Sequence, residues 1–351
     1  MIVKKIISKI LKEMRNLKFS VTPFVTCKWD YFTISMDYLF CKFFLKVSPG
    51  EYRIYNFPNL KQRYRKSFIL NHHHKKYRNI NIIHFAHYKY TFYTFLRDFY
   101  KRELILAPQC GENAFVDFFK KHQKIIIKPN RGSLGHGVSL SQYTDEQAAR
   151  ELFASFNPAA PSVCEEYIRQ HPVMMSLNPH SVNTIRLVTL MVDGNVKALA
   201  AVLRMGLDSN SITDNVCGGG IGALVDVTTG IVTSFGQDAY SRTYANHPLT
   251  GTRIIGLQIP HWDQVIDLAK SAHKCVPQCA LYGWDIAITE SGVDIVEGNS
   301  SPRGTDFIQR VDNIPKGKEL IPLLKKDRMK KTRAKYLEDW TKVFNEQMKM
   351  Q

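Results

Sequence analysis

Long apolar runs are missing from this sequence. Lys, Arg, Asp or polar clusters interrupt every hydrophobic stretch before the roughly 18 to 20 residues that a membrane-spanning helix needs, so a single-span anchor is excluded. Charges at Lys4, Lys5, Lys9 and Lys12 open the chain, but no uninterrupted apolar segment and no small-residue cleavage site follow, so no secretory signal is expected. Cysteine is sparse. Cys27, Cys41, Cys110, Cys164, Cys217, Cys275 and Cys279 are odd in number and scattered, which makes no disulfide framework and leaves a reduced, cytosolic protein as the expectation. Cys275 and Cys279 stand one helical turn apart and His72, His73 and His74 are adjacent. No second Cys or His pair completes a tetrahedral set, so neither group is assigned a metal. Also lacking are a Ser/His/Asp or Cys/His arrangement for nucleophilic catalysis, a P-loop with its terminal Gly-Lys-Ser/Thr, and a G-x-G-x-x-G fingerprint. Aromatic residues interleave with Lys and Arg near the N-terminus without any RNP-like, KH or zinc-finger pattern, which leaves nucleic acid out of the expected partners.

Acidic residues are scarce only at the two ends. The 351 residues carry a formal net charge of +17, with 24 Lys and Arg against 8 Asp and Glu in residues 1–124 and 11 against 5 in residues 316–351. Residues 125–315 reverse the balance, with 13 against 18. At the N-terminus Ile2, Val3, Ile6, Ile7, Ile10, Leu11, Met14 and Leu17 recur at helical intervals between lysines, which predicts a basic amphipathic helix. Such a helix either docks on the protein's own surface or lies on an anionic membrane face. From Thr22 to about Tyr77 no long period is visible, and a small, irregular module is expected. The organisation read from these shifts is a basic aromatic N-terminal module over residues 1–80, a central domain over 81–310, and a basic C-terminal helix or tail over 311–351.

The centre reads as α+β. Lys124–Lys128, Ile185–Val192, Val196–Leu203, Gly222–Val227, Ile231–Phe235, Trp284–Thr289 and Val293–Val296 read as strands, with hairpin turns at Asp193-Gly194, Thr229-Gly230 and Ser291-Gly292 that imply antiparallel sheet. Helices are expected over roughly 90–103, 111–122, 144–156 and 262–275.

Three features in this region carry chemistry. Lys128-Pro129-Asn130-Arg131-Gly132-Ser133-Leu134-Gly135-His136-Gly137 is a strand ending in a lysine that opens into a glycine-rich loop. Glycines let backbone N–H groups close around phosphate oxygens, and the lysine supplies a point charge for them. Asp285, Glu297 and Asn299 lie on two strands joined by a hairpin, where alternation sends them to one face. Hard oxygen ligands converging this way suit magnesium held between protein and nucleotide phosphates. Arg186 and Arg204 sit on a third and fourth strand, and two guanidinium groups at one sheet edge suit the spread charge of a transferring phosphoryl group.

The order of these pieces, with Cys164-Glu165-Glu166-Tyr167-Ile168 between the loop and Asn183-Thr184-Ile185-Arg186, resembles an ATP-grasp enzyme over about residues 85–305. In particular it resembles the sugar-transfer-associated ATP-grasp group, and more distantly the ligases that add glutamate to protein tails. The resemblance implies two α+β subdomains clasping ATP. Lys128 would contact the phosphates beneath a lid formed by Gly132, Ser133, Gly135 and Gly137, and Lys89, with Lys101 as fallback, would be the second phosphate lysine. The hinge Glu165, Glu166, Tyr167 and Ile168 would meet the adenine edge. After the hinge the family offers a carboxylate to the ribose, and here Arg169-Gln170-His171-Pro172 has none, so Gln170 or His171 would serve or the contact would be lost. Asp285, Glu297 and Asn299 would hold magnesium, and Arg186 and Arg204 would stabilise the phosphoryl group. Asn215, in Asp214-Asn215-Val216-Cys217-Gly218-Gly219-Gly220, would lie where acceptor and phosphate meet, with Cys217 packing rather than reacting.

The chemistry implied is attack of a carboxylate on the γ-phosphate of ATP, giving an acyl phosphate that an amine displaces. The expected activity is therefore an ATP- and magnesium-dependent carboxylate-amine ligase of cell-surface polysaccharide biosynthesis. It would act in the cytoplasm or peripherally at the inner membrane face, on a small-molecule or lipid-linked glycan carboxylate and an amine, beside anionic membrane or sugar transferases. Two alternatives are phosphoryl transfer that stops at a phosphorylated sugar or acid, and a non-catalytic nucleotide-binding module that recruits sugar transferases.

Overall fold

The computed structural model describes residues 2–61, 65–70, 88–132, 135–192, 194–210, 214, 216–240, 242–276, 279, 281–299, 309 and 315–326. They fall in two units, one from within residues 1–77 and 305–326 and the other from within 78–304.

In the first unit the expected N-terminal helix is α1, Ile2–Val21. Its Leu17 and Val21 pack into the unit's own core. The segment expected to be irregular instead forms an 18-residue helix, α2, Lys28–Leu45. Its first turn is set by a capping box in which the Asp30 N–H donates to Cys27 Sγ and the Asp30 carboxylate accepts from the Cys27 N–H at 3.3 Å. Lys46, at φ 56°, stops it. A second capping box, Ser48 with Glu51, starts α3, Pro49–Ile54, with proline in its first turn. Tyr38, Cys41, Tyr52, Tyr55, Phe57 and Phe68 fill the core between these helices. The helix Gly317–Lys326 belongs to this unit too. The Gly317 N–H donates to the Ser67 carbonyl at 2.6 Å, and the Gln309 side chain bonds both the N–H and the C=O of Ile69.

The second unit runs α4 (Lys89–Phe95), β1 (Leu104–Ala107), α5 (Glu112–His122), β2 (Lys124–Pro129), β3 (Ser139–Gln142), α6 (Glu146–Ala154), β4 (Ser162–Glu166) and α7 (Pro172–Met175). Then follow β5 (Thr184–Val192), β6 (Asn195–Met205), β7 (Ile221–Val225), β8 (Gly236–Asp238), β9 (Thr243–Tyr244), α8 (Trp262–Lys274), β10 (Leu281–Thr289) and β11 (Gly292–Asn299). The helix expected over 90–103 ends at Phe95, because a 3-10 turn at Arg97–Phe99 redirects the chain into β1. The strand expected over 231–235 is reduced to isolated bridges from Ile231 and Val232, and the regular strand starts at Gly236.

These strands make two antiparallel sheets, a four-stranded one in the order β1-β4-β2-β3 and a seven-stranded one in the order β11-β10-β5-β6-β7-β8-β9. Phe115, Phe119, Ile125 and Cys164 form the core of the smaller sheet with α5 and α6. Under the larger sheet, Val265, Ala269 and Ala272 of α8 pack with Leu187, Trp284, Ile286 and Ile288. One polar knot sits inside that layer. His273 is fully buried, with Nε2 2.7 Å from the Cys279 carbonyl and Nδ1 2.7 Å from Thr189 Oγ1, which also accepts from the Trp284 indole at 2.9 Å.

Candidate functional site

The register of the larger sheet sets the site. Arg186 pairs with Asp285 across β5 and β10, and Asp285 pairs with Glu297 across β10 and β11, so the three residues form a row over three adjacent strands. Asn299 is two residues along β11, opposite Gly283. Arg204 lies opposite Thr184, two positions from Arg186, and therefore on the same face. A β-bulge interrupts β11 beside this row, since Asp285 faces Glu297 while Ile286 faces Ile295.

Asp285 is the electrostatic centre. Arg186 grips it with Nε and Nη2, the latter at 2.8 Å, and Arg204 Nη1 forms an ion pair with it at 2.8 Å. Arg204 Nη2 reaches Asp214 at 2.9 Å, and the other Asp214 oxygen accepts from the Thr184 N–H and hydroxyl. Burial alone would push Asp285 up, yet Arg186 and Arg204 prevail and hold its carboxyl down to about 2. Glu297 is shifted the other way. Burial and the neighbouring Asp285 raise it, and Lys89, Lys128 and Arg186 offset that only in part.

The smaller sheet contributes the lysines. The Lys89 amine, at the start of α4, donates to the carbonyls of Pro129 at 3.1 Å and Gly132 at 3.0 Å, so it braces the base of the glycine loop. Burial lowers its pKa, and Lys128 acts in the same direction. Lys128 Nζ lies 2.7 Å from Glu165. The loop base is pinned by buried Asn130, whose carbonyl accepts from the Lys89 N–H and whose side chain accepts from the Tyr90 N–H, both at 2.9 Å. Gly135 and Gly137 adopt φ of 75° and 74°, and a Cβ on Gly137 would stand 2.9 Å from Pro129 Cγ.

The hinge differs in detail from the expectation. The Glu165 side chain points inward, where it bonds Lys128 at 2.7 Å and accepts from Nη2 and Nε of the buried Arg102 at 3.1 and 3.2 Å. Burial opposes ionisation of Glu165, but Lys128 and Arg102 hold its carboxyl below its ordinary value. Arg102 also takes Asp294 at 2.7 Å and the carbonyls of Ile295 and Val296 at the bulge. The Glu166 and Tyr167 N–H groups are spent on the carbonyls of Glu103 and Lys124. The Ile168 N–H has no acceptor among the described residues, which leaves it for a ligand edge.

Arg102, Asp294, Asp214 and Asn130 escaped the sequence reading, and Arg102, Asp294 and Asp214 act only through partners distant in the chain. Lys101, the fallback lysine, has an exposed side chain, so only Lys89 stands at the loop. Gln170 and His171 have partners within the chain. Gln170 is buried and its amide binds Asn183, Asn178 and Ser181, while His171 Nδ1 accepts from the Val173 N–H to cap α7. Both hold the β4–β5 connection. Ser133, Asn215, the Cys217 side chain and His72–His74 lie outside the described residues.

ATP and magnesium can be tested against these side chains. Among the described residues no three His, Cys, Asp or Glu gather as a metal site, and both Asp285 oxygens are engaged by arginine. Glu297 nevertheless crowds a second carboxylate, and the Asn299 side-chain nitrogen is buried without a partner among the described residues. A carboxylate lifted by its neighbour and an orphaned amide fit a cation and phosphate oxygens, with two lysines supplying the remaining positive charge.

Two antiparallel α+β sheets, one offering a lysine-based glycine loop and the other a row of arginine, carboxylate and amide side chains, define the ATP-grasp class. The chain belongs to the sugar-transfer associated ATP-grasp family, whose model matches residues 104–326. No curated protein matches the sequence. Similar solved structures include D-alanine–D-alanine ligase from Bacillus anthracis, at 14% identity and TM-score 0.42 over 75% of this chain and 72% of that one. Others are the ATP-grasp ligase PsnB with a phosphomimetic precursor variant, magnesium and ADP, at 16%, 0.43, 72% and 62%, and D-cycloserine synthetase DcsG, at 12%, 0.45, 71% and 73%.

Proposed function

We propose that this protein is an ATP- and magnesium-dependent carboxylate-amine ligase working through an acyl phosphate, in cell-surface polysaccharide biosynthesis. The observation that carries the reading is the row Arg186–Asp285–Glu297 with Arg204 on the same face, its Glu297 within electrostatic reach of Lys89 and Lys128 at the base of the glycine loop. A site with that much fixed positive charge suits a reaction whose demand is neutralisation of phosphoryl oxygens.

Lys89 and Lys128 bind the ATP phosphates, and the loop from Gly132 through Ser133, Gly135 and Gly137 covers them. The Ile168 N–H and the Glu165–Tyr167 backbone meet the adenine edge. Glu297, Asn299 and Asp285 would hold magnesium, which would supply charge neutralisation at the phosphates. A substrate carboxylate oxygen attacks the γ-phosphorus, the bond to the β-phosphate oxygen breaks, and ADP leaves. Arg186 and Arg204 face the phosphoryl oxygens, with Asn215 on the acceptor side. The amine then attacks the acyl carbon, inorganic phosphate departs and the amine loses a proton. The closed loop keeps water from the acyl phosphate. The carboxylate is a sugar acid, free or lipid-linked, met in the cytoplasm at the inner membrane face beside sugar transferases.

ADP release by wild type and Glu297→Ala, against uronic acids and amines supplied singly and in pairs, tests this. ADP formed only with an acid plus an amine, lost in Glu297→Ala, with an acyl hydroxamate trapped by hydroxylamine, is the expected result. ADP from one compound alone, with a stable phosphorylated product, would establish phosphoryl transfer instead. ATP binding without turnover for any pair would favour the recruiting module.

A further inference from the structure

One face of α2 is apolar and, among the described residues, exposed. Trp29, Phe32, Met36, Phe40, Phe43 and Phe44 are exposed by 72%, 59%, 55%, 41%, 70% and 73%. At 100° per residue they share one arc of the helix with a single polar residue, Thr33. The Thr33 hydroxyl is satisfied within the helix by the Trp29 and Asp30 carbonyls. The charged side chains of α2 lie off this arc. Asp37 takes Arg65 at 2.5 Å and the Tyr52 hydroxyl at 2.7 Å, and Lys42 pairs with Glu13. The opposite face buries Ser35, Tyr38 and Cys41 in the core of the unit.

The same unit is cationic outside. Residues 1–61 hold eleven Lys and Arg against four Asp and Glu. All four carboxylates have internal partners, namely Lys42 for Glu13, the Thr26 and Cys27 N–H groups for Asp30, Arg65 for Asp37, and Ser48 for Glu51. None of Lys12, Lys18, Lys28 and Lys46 pairs with a carboxylate among the described residues, and all four are exposed. Arg15, Lys18 and Arg53 line an open concavity with Phe19, Thr22 and Pro23.

We infer that α2 lies flat in the interface of a bilayer rich in anionic lipid, its aromatic arc among the acyl chains and the unpaired cations on headgroup phosphates. No described helix is long and apolar enough to cross a membrane, and the charges on the inner face of α2 are committed to its own unit, so the contact is in plane. Trp and Phe suit that depth. A second copy of this chain is the less fitting occupant, because closing two such units on each other brings two uncompensated cationic surfaces together. The inference gives the membrane location in the proposed function its surface and moves it from α1, whose Leu17 and Val21 are spent on the core, to α2.

Flotation of the full chain with vesicles tests it, separately from ligase activity. Wild type floats with phosphatidylcholine vesicles containing roughly a third phosphatidylglycerol, and binds pure phosphatidylcholine at least about tenfold more weakly. Phe32→Asp combined with Phe43→Asp, both exposed, lowers binding at least about tenfold while circular dichroism and ADP release with soluble substrates stay as in wild type. Leu11→Asp with Met14→Asp, on exposed positions of α1, leaves flotation in place. Brominated lipid quenches wild-type fluorescence more than that of Trp29→Phe, a reading that needs no disruptive variant. Flotation lost in the α1 variant and kept in the α2 variant would overturn the inference, as would equal binding to neutral vesicles. A wild-type dimer that the α2 variant splits, with no vesicle binding, would assign the face to a second copy.

Discussion

Arg102 shows how much of the site is held by one side chain. It is 4% exposed and binds Glu165, Asp294 and the carbonyls of Ile295 and Val296. It thereby ties the strand that carries Lys128's partner to the bulge beside Glu297. Removing it leaves buried Asp294 without its cation and buried Glu165 with Lys128 alone, which costs far more than the pairing contributed over an apolar substitute. Arg102→Met is expected to destabilise the protein by about 3 to 5 kcal/mol, read as a lower denaturant midpoint. Arg102→Met with Asp294→Asn recovers a substantial part of the loss, since Glu165 keeps Lys128 and no buried carboxylate is left without a cation. A double variant no more stable than the single one would refute this account of the loss.

Strands were legible in the sequence as short apolar or alternating runs bounded by turn residues, including β5 and β10, which are buried on both faces. The row Arg186, Asp285, Glu297 follows from strand alternation and two hairpins, and the register places those residues opposite one another. Helix α2 was hidden. Its core face and its outer arc are both apolar, so no period stands out of the background. The Arg102–Glu165–Asp294 cluster was hidden because Glu165 and Asp294 lie 63 and 192 positions from Arg102, brought together only by packing. The glycine loop was legible as a composition, and the structure adds which glycine is constrained. Gly137→Ala forces a left-handed residue and a Cβ against Pro129, at a cost of about 1 to 3 kcal/mol confined to the loop. The expected outcome is a melting temperature within a few degrees of wild type and an ATP affinity weakened by roughly tenfold. An unchanged nucleotide affinity would show that the loop does not cover the phosphates.

At the scale of the whole molecule the chain returns to its beginning, since Gln309 and Gly317 bond Ile69 and Ser67 in the first unit while the sheets form the second. Stability of the second unit carries a pH signature from His273. The Cys279 carbonyl can only accept, so the Nε2 proton points to it and Nδ1 accepts from the Thr189 hydroxyl, a knot that requires neutral imidazole. Burial lowers the His273 pKa from 6.5 to about 4, opposed by the bond to Cys279. Between those values the unfolded chain binds a proton that the folded one refuses, so stability falls as pH drops from about 6.5 to about 4 and levels off below. The contribution of this group amounts to about 3 kcal/mol across that window. His273→Gln removes the titrating group and keeps a polar side chain in the knot, so it is less stable at neutral pH but shows a shallower decline on acidification. Urea titrations of both proteins at several pH values between 4 and 7 measure the two slopes. Equal slopes would mean that the carboxylates alone set the acid sensitivity, and that the knot admits a proton in the folded state.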